Sequence, residues 1–278
     1  MDKNKTVEIL KKYDFKFTKS LGQNFLIDDR VLDDIIESSN ISKDDIVIEI
    51  GPGFGALTRK LLGKAKKVIA IELDSSLIPI LEEELEEFDN LEIINEDALK
   101  YDFNNLNTEG SKFKIVANLP YYITTPILSK LIDYRNIISS ITIMIQEEVA
   151  RRIVSKPNSK DYGALSIYIQ LYCNTSTVTK VKSTAFMPQP KVDSQVIKLE
   201  FLDKPKVDLI NEEYFFKIVR SSFNQRRKTL SNSLKSLGLS KEDLMKSFEV
   251  SDIDPIRRGE TLSIEEFALL SNNMVKIK

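Results

Sequence analysis

Short apolar runs, each closed by a glycine or a polar residue, recur along the first two-thirds of the chain. Residues 46–50 (IVIEI) lead straight into Gly51, and 67–72 (KVIAIE), 91–95 (LEIIN), 113–117 (FKIVA) and 141–145 (ITIMI) repeat the pattern. Runs of this length read as buried strands. Between them lie stretches of helical spacing: 56–62, an acidic stretch through Phe88 that Ser75 or Ser76 can cap, and 127–132. Arg151, Arg152 and Ile153 fall on a helix after the fifth strand. Strands alternating with helices predict βαβ units, hence a mostly parallel sheet with right-handed crossovers.

The pattern then changes. Residues 175–182 and 194–201 are β-like and are separated by Met187-Pro188-Gln189-Pro190 rather than by a helix. They predict an antiparallel pair added at the sheet edge. Beyond Pro205 the spacing is helical at 212–223, 229–237, 241–250 and 263–272. The expected organisation is an α/β domain over 1–203, including its N-terminal segment, and a small all-α domain over 204–278.

Composition narrows the chemistry. The chain has 278 residues, 42% hydrophobic and 29% charged, as an ordinary soluble protein does. Its single Cys173 excludes an intrachain disulfide and, within the apolar run 167–173, reads as a buried thiol. There is no histidine, so neither a His-ligated metal nor a histidine base is available, and no metal site is expected. The opening MDKNKTVEILKKYDF mixes both charge signs and does not read as a signal peptide. No stretch approaches the ~20 apolar residues that cross a bilayer, so a cytoplasmic protein is expected.

The net charge of −2 hides a segregated distribution. Acids cluster at Glu82, Glu83, Glu84, Glu86, Glu87 and Asp89. Residues 217–235 carry Lys217, Arg220, Arg226, Arg227, Lys228 and Lys235 without one acid, and Lys11, Lys12, Lys16 and Lys19 form a second basic group. One face meeting phosphate and another meeting water would produce this separation.

The first chemical motif is Gly51-Pro52-Gly53-Phe54-Gly55, a strand-to-helix turn. Its glycines permit positive φ and close approach of backbone to ligand. No Lys-Ser/Thr follows, so it is not a P-loop, and its G-x-G-x-G spacing is not the dinucleotide fingerprint. A nucleotide-like cofactor without phosphate suits it, and S-adenosyl-L-methionine is one. Glu72, about 20 residues on, can accept hydrogen bonds from ribose hydroxyls. Asp97, after the third strand, can accept from the cofactor's adenine amine.

The second motif, Asn118-Leu119-Pro120-Tyr121, closes the fourth strand. This tetrapeptide resembles the target-amine motif of adenine methyltransferases, which implies adenine's exocyclic amine as acceptor, a poor nucleophile because its lone pair is delocalised into the ring. The Asn118 side-chain oxygen and the Leu119 carbonyl, aimed at the amine hydrogens, favour the pyramidal form, while Pro120 stiffens the turn. Tyr121 can stack on the base. No strong base is required, which fits a chain without histidine.

These motifs occur in order with three more: residues 19–28 (KSLGQNFLID), 186–194 (FMPQPKVDS) and 223–230 (FNQRRKTL). Together they resemble the small-subunit (16S) ribosomal RNA adenine dimethyltransferase family, the KsgA/RsmA family of bacteria, over nearly the whole chain. The resemblance implies a Rossmann-like methyltransferase sheet and a helical C-terminal rRNA-binding domain. It implies dimethylation of two adjacent adenosines near the 3′ end of small-subunit rRNA, in a pre-30S particle during late subunit assembly. Cofactor contacts are implied for Asn24, Leu26, Gly51, Glu72, Asp97 and Asn118, with Gly53 in the same turn, and Phe186 would face Tyr121 across the target base. Arg220, Arg226, Arg227 and Lys228 then read as phosphate contacts, with Arg257 and Arg258 as candidate extensions. Arg151 and Arg152 fit an RNA contact and a helix end equally. No dimer-forming heptad is visible, so a monomer is expected.

Three other readings stand beside this one. An erythromycin-resistance type methyltransferase of large-subunit rRNA shares the glycine and amine motifs. The Leu of Asn-Leu-Pro-Tyr and the Gln-Arg-Arg-Lys-Thr-Leu run favour the small-subunit family over it. A non-catalytic assembly factor would show degraded cofactor residues. A nicotinamide oxidoreductase would leave Asn118 to Tyr121 unexplained.

Overall fold

The computed structural model describes residues 3–18, 21–106 and 110–277. Lys19 and Ser20, at the start of the first quoted motif, lie outside them. The chain forms two compact units, residues 1–150 with 175–201 and residues 151–174 with 202–278.

The first unit is built on strands β2 (Ile46–Ile50), β3 (Lys67–Glu72), β4 (Leu91–Asn95), β5 (Phe113–Asn118), β6 (Ile138–Gln146), β7 (Cys173–Val181) and β9 (Ser194–Phe201). They form one sheet in the order β4-β3-β2-β5-β6-β9-β7. Neighbours from β4 to β6 run parallel, and β9 runs antiparallel to β6 with Ser194 opposite Gln146. Every residue of β2 is buried, because helices cover both faces of a parallel sheet. From β2 the chain winds out to β3 and β4, then returns to β5 on the other side of β2. That reversal opens a crevice at the carboxyl ends of β2 and β5, where α/β sheets bind ligands.

Around the sheet pack α1 (Lys3–Lys12), α2 (Asp29–Ser38), α3 (Ala56–Leu62), α4 (Ile78–Glu84) and α5 (Thr124–Asp133). In α2, Val31, Leu32 and Ile35 face the core, and the Asp28 carboxylate caps the first turn by accepting from the Arg30 N–H at 3.0 Å. The acidic helix starts differently from expectation. Asp74, not Ser75 or Ser76, is the capping side chain, a 3-10 turn intervenes, and the α-helix ends at Glu84 rather than Phe88. A two-stranded sheet pairs β1 (Phe25–Leu26) antiparallel with β8 (Phe186–Met187).

In the second unit, helix α7 (Ala164–Gln170) joins α8 (Glu212–Asn224), α9 (Leu230–Ser233), α10 (Lys241–Val250) and α11 (Ile264–Ile277). Buried Tyr162, Phe215, Ile218, Phe248, Phe267 and Met274 contribute to its core. Residues 151–174 thus pack with the C-terminal helices, whereas the change of pattern in the sequence falls near residue 203. The Leu202 N–H donates to the Tyr172 carbonyl at 2.8 Å and the Lys206 N–H to the Leu171 carbonyl at 2.8 Å, tying the two segments together. Cys173 is buried, and burial pushes its thiol up to about 12.

Candidate active site

A cleft opens at the carboxyl ends of β2, β3 and β5. Asn24, Leu26, Gly51, Gly53, Glu72, Asp97, Asn118, Leu119, Pro120, Tyr121 and Phe186 all line it. The strand-end residues come together because parallel strands deliver their carboxyl ends to one edge of the sheet. Asn24, Leu26 and Phe186 arrive through the β1–β8 pair, in which Leu26 is opposite Phe186.

The glycine turn shapes the floor. Gly51 has φ +71 and Gly53 φ +60. A Cβ on Gly53 would lie 2.8 Å from the Phe25 ring, which is itself stacked on Phe54 at 4.1 Å. Glycine at this position therefore serves both the backbone conformation and the packing.

Glu72 ends β3 with its carboxylate fixed. Oε2 accepts from the Gly53 N–H at 3.3 Å and Oε1 from the Asp74 N–H at 2.8 Å. Burial raises its pKa, and these two hydrogen bonds oppose the rise. One oxygen of Asp97 caps the next turn, accepting from the Leu99 N–H at 2.9 Å.

The amine motif is held from several sides. Asn118 Nδ2 donates to the Asn24 carbonyl at 3.1 Å, which leaves Oδ1 as the acceptor of that side chain. Asn24 turns its own amide back to the Gly22 carbonyl at 2.9 Å, so in this structure it orients Asn118 through its backbone. The Leu119 N–H donates to the Met144 carbonyl at 3.1 Å. The Tyr121 hydroxyl is 2.8 Å from Ser194 Oγ, on the first residue of β9.

Two cleft residues were given no role in the sequence. Glu49 lies within β2, is 1% exposed, and has an oxygen, Oε2, without a hydrogen-bond partner. Burial pushes its pKa up to about 8; the Thr58 hydroxyl opposes this and the Glu72 carboxylate adds to it. Thr58 Oγ1 itself completes no hydrogen bond, so that opposition is weak. The signal for Glu49 was an acid inside an otherwise apolar five-residue run. Gln23 donates through Nε2 to Asp74 at 2.7 Å and accepts from the Thr18 N–H at 2.8 Å, joining the N-terminal segment to the loop after β3.

The basic residues lie on the second unit. Arg220, Arg226, Arg227 and Lys228 are all exposed. Arg226 is also fixed to the protein: Nη1 donates to the Lys160 carbonyl at 2.7 Å and Nη2 to the Tyr162 carbonyl. Arg257 is likewise committed, to the Glu266 carboxylate and the Thr261 carbonyl. Arg151 pairs with Asp161 at 3.5 Å. Among the described residues no group of three or more His, Cys, Asp or Glu side chains could hold a metal ion. No described helix is long and apolar enough to cross a membrane.

Comparison with known proteins gives a consistent answer. Residues 14–275 match the model of the ribosomal RNA adenine dimethylase family. A ribosomal RNA small subunit methyltransferase A from Clostridium acetobutylicum is 58% identical over 271 residues, 98% of each chain. Among solved structures, a dimethyladenosine transferase from Plasmodium falciparum is 31% identical with a TM-score of 0.78, covering 88% of this chain and 95% of that one. The 23S rRNA methyltransferase ErmE is 26% identical with a TM-score of 0.72, covering 91% of this chain and 100% of that one. With its glycine turn, strand-end acids and Asn-Leu-Pro-Tyr turn converging on one cleft, the chain belongs to the ribosomal RNA adenine dimethylase family.

Proposed function

We propose that this protein uses S-adenosyl-L-methionine to dimethylate the 6-amino groups of two adjacent adenosines near the 3′ end of small-subunit rRNA. It would act on a pre-30S particle, in the cytoplasm and as a monomer. The observation that carries the reading is the state of Asn118: its amide nitrogen is occupied by Asn24, and its oxygen remains to accept from an amine inside the cleft.

The cleft suits the cofactor in three respects. Gly53 leaves backbone, without a side chain, at the floor. Glu72 presents a fixed carboxylate for ribose hydroxyls. Glu49 offers a buried oxygen without a partner, suited to a cationic ammonium. When bound, the cofactor supplies a methyl group on a positively charged sulfur.

The protein's part is then alignment. In the first transfer Asn118 Oδ1 and the Leu119 carbonyl would take the two amine hydrogens and in the second one of them would take the single hydrogen left, which would localise the nitrogen lone pair for attack. Tyr121, tethered through its hydroxyl to Ser194, and Phe186 hold the extruded base between aromatic faces. The methylated amine is a strong acid until it loses its proton, so water suffices as acceptor. Small-subunit rRNA is favoured over large-subunit rRNA by the 58% identity to the Clostridium small-subunit methyltransferase, against 26% to ErmE.

Mass spectrometry of the small-subunit rRNA 3′ end, from cells with and without the gene, tests the reading. Loss of dimethyladenosine at two adjacent positions is expected. An unchanged spectrum would sink it.

A further inference from the structure

The second unit carries a basic surface that no single sequence motif contains. Three segments distant in the chain are joined by hydrogen bonds. Arg226 grips the carbonyls of Lys160 and Tyr162. The Asn158 N–H donates to the Glu260 carbonyl at 2.8 Å. The Leu230 N–H donates to the Arg257 carbonyl at 2.7 Å, and the Ser231 N–H to the Pro255 carbonyl at 3.0 Å. Beneath this junction the Tyr162 ring meets Phe223 edge-on at 5.9 Å.

Charge is distributed unevenly over the junction. Asp161 and Glu266 are taken up by Arg151 and Arg257. Lys156, Lys160, Arg227 and Lys228 are exposed, and none is in an ion pair among the described residues. Cations that pair with no described acid are placed for an external polyanion. None of these four is aromatic, so the surface offers contacts to phosphate and no platform for stacking a base.

We propose that residues 156–160 form one phosphate-binding surface with Arg227 and Lys228, and that Arg226 assembles this surface through its two carbonyl bonds. The inference rests on the reading of rRNA as substrate. It extends the RNA contact to a segment outside the helical sequence region, and it gives Arg226 an assembling role. A planar guanidinium can satisfy two carbonyls at once, whereas a lysine ammonium keeps the charge without the fork.

The test is binding of the full-length protein to small-subunit particles lacking the modification, across a monovalent salt series. K156Q/K160Q should weaken binding at low salt and flatten log K against log salt by roughly 1.5, at about 0.7–0.9 per lost phosphate contact. Its affinity for S-adenosyl-L-methionine should match wild type. R226K, with net charge unchanged, should also lose particle affinity and show faster amide exchange at residues 158–162. If R226K binds like wild type, the assembling role is wrong. If R226K does not fold, the lysine pair still decides the matter. Should K156Q/K160Q leave affinity and slope unchanged while R227Q/K228Q lowers both, the 156–160 segment is excluded and the rRNA reading stands. Should neither pair change binding, the basic face of this unit is not the RNA contact at all.

Discussion

Glu49→Gln separates a titrating carboxyl from a neutral isostere at the most buried acid of the cleft. Glu49 is 1% exposed, Oε2 has no partner, and its pKa is pushed from 4.5 up to about 8. The folded state therefore holds this proton more tightly than the unfolded chain does. The stability it contributes is complete below about pH 4.5, declines as pH rises, and is lost by about pH 8. A rise of about 3.5 units, at about 1.4 kcal/mol each, bounds the effect at about 5 kcal/mol, of which about 3 kcal/mol falls between pH 5.5 and 8. A buried glutamine amide brings its own unsatisfied group, costing about 1–3 kcal/mol, but that cost does not vary with pH. The observable is thus the slope: urea unfolding at a series of pH values should show wild type losing stability relative to E49Q as pH rises. Parallel profiles would refute the reasoning. A cationic ligand group beside Glu49 would draw its pKa back down, so calorimetry in buffers of different ionisation enthalpy should show proton release when S-adenosyl-L-methionine binds wild type, and less release for E49Q.

Asn118→Ala should lower methyl transfer by about 10²-fold or more, the scale of losing one positioned hydrogen-bonding group at a reacting centre, with cofactor affinity within a few-fold of wild type; unchanged methylation would remove the account of amine activation. Gly53→Ala meets a φ of +60 and a ring atom at 2.8 Å, so it should cost about 1–3 kcal/mol in thermal stability and weaken cofactor binding. Tyr121→Phe keeps the ring but releases Ser194, for about 1 kcal/mol of stability, whereas Tyr121→Ala should weaken RNA binding by about 1–3 kcal/mol through lost stacking. Equal RNA affinities for the two Tyr121 variants would argue against a stacking role.

Much of the sheet was legible in the sequence because buried parallel strands write themselves as apolar runs. Residues 46–50, 67–72, 91–95 and 194–201 coincide with observed strands, and 56–62 with a helix. The cleft residues were legible for a related reason: glycine, acid and asparagine interrupt those runs at the carboxyl ends of strands, and parallel topology gathers such ends together. Other elements leave no such mark. The β1–β8 pair joins two-residue strands about 160 positions apart, too short for any periodicity. Helix α1 mixes lysines with scattered apolar residues and becomes intelligible through buried Ile9, which packs against Phe54, Leu77 and Ile80. Asp74 rather than a serine caps the turn after β3 because hydrogen-bond geometry, not residue type alone, chooses the cap.

The sequence by itself determined the class of sheet, the chemistry at its strand ends and the family, since each depends on residue type and order. Tertiary structure alone decided which polar groups remain available. It shows Asn118 with its nitrogen committed and Glu49 with an oxygen stranded. It gathers residues 151–174 with the C-terminal helices and makes the exposed Arg226 a clasp on the 160 and 162 carbonyls. Hydrogen-bonding capacity is set by what lies opposite in space, and a linear order of residues does not contain that.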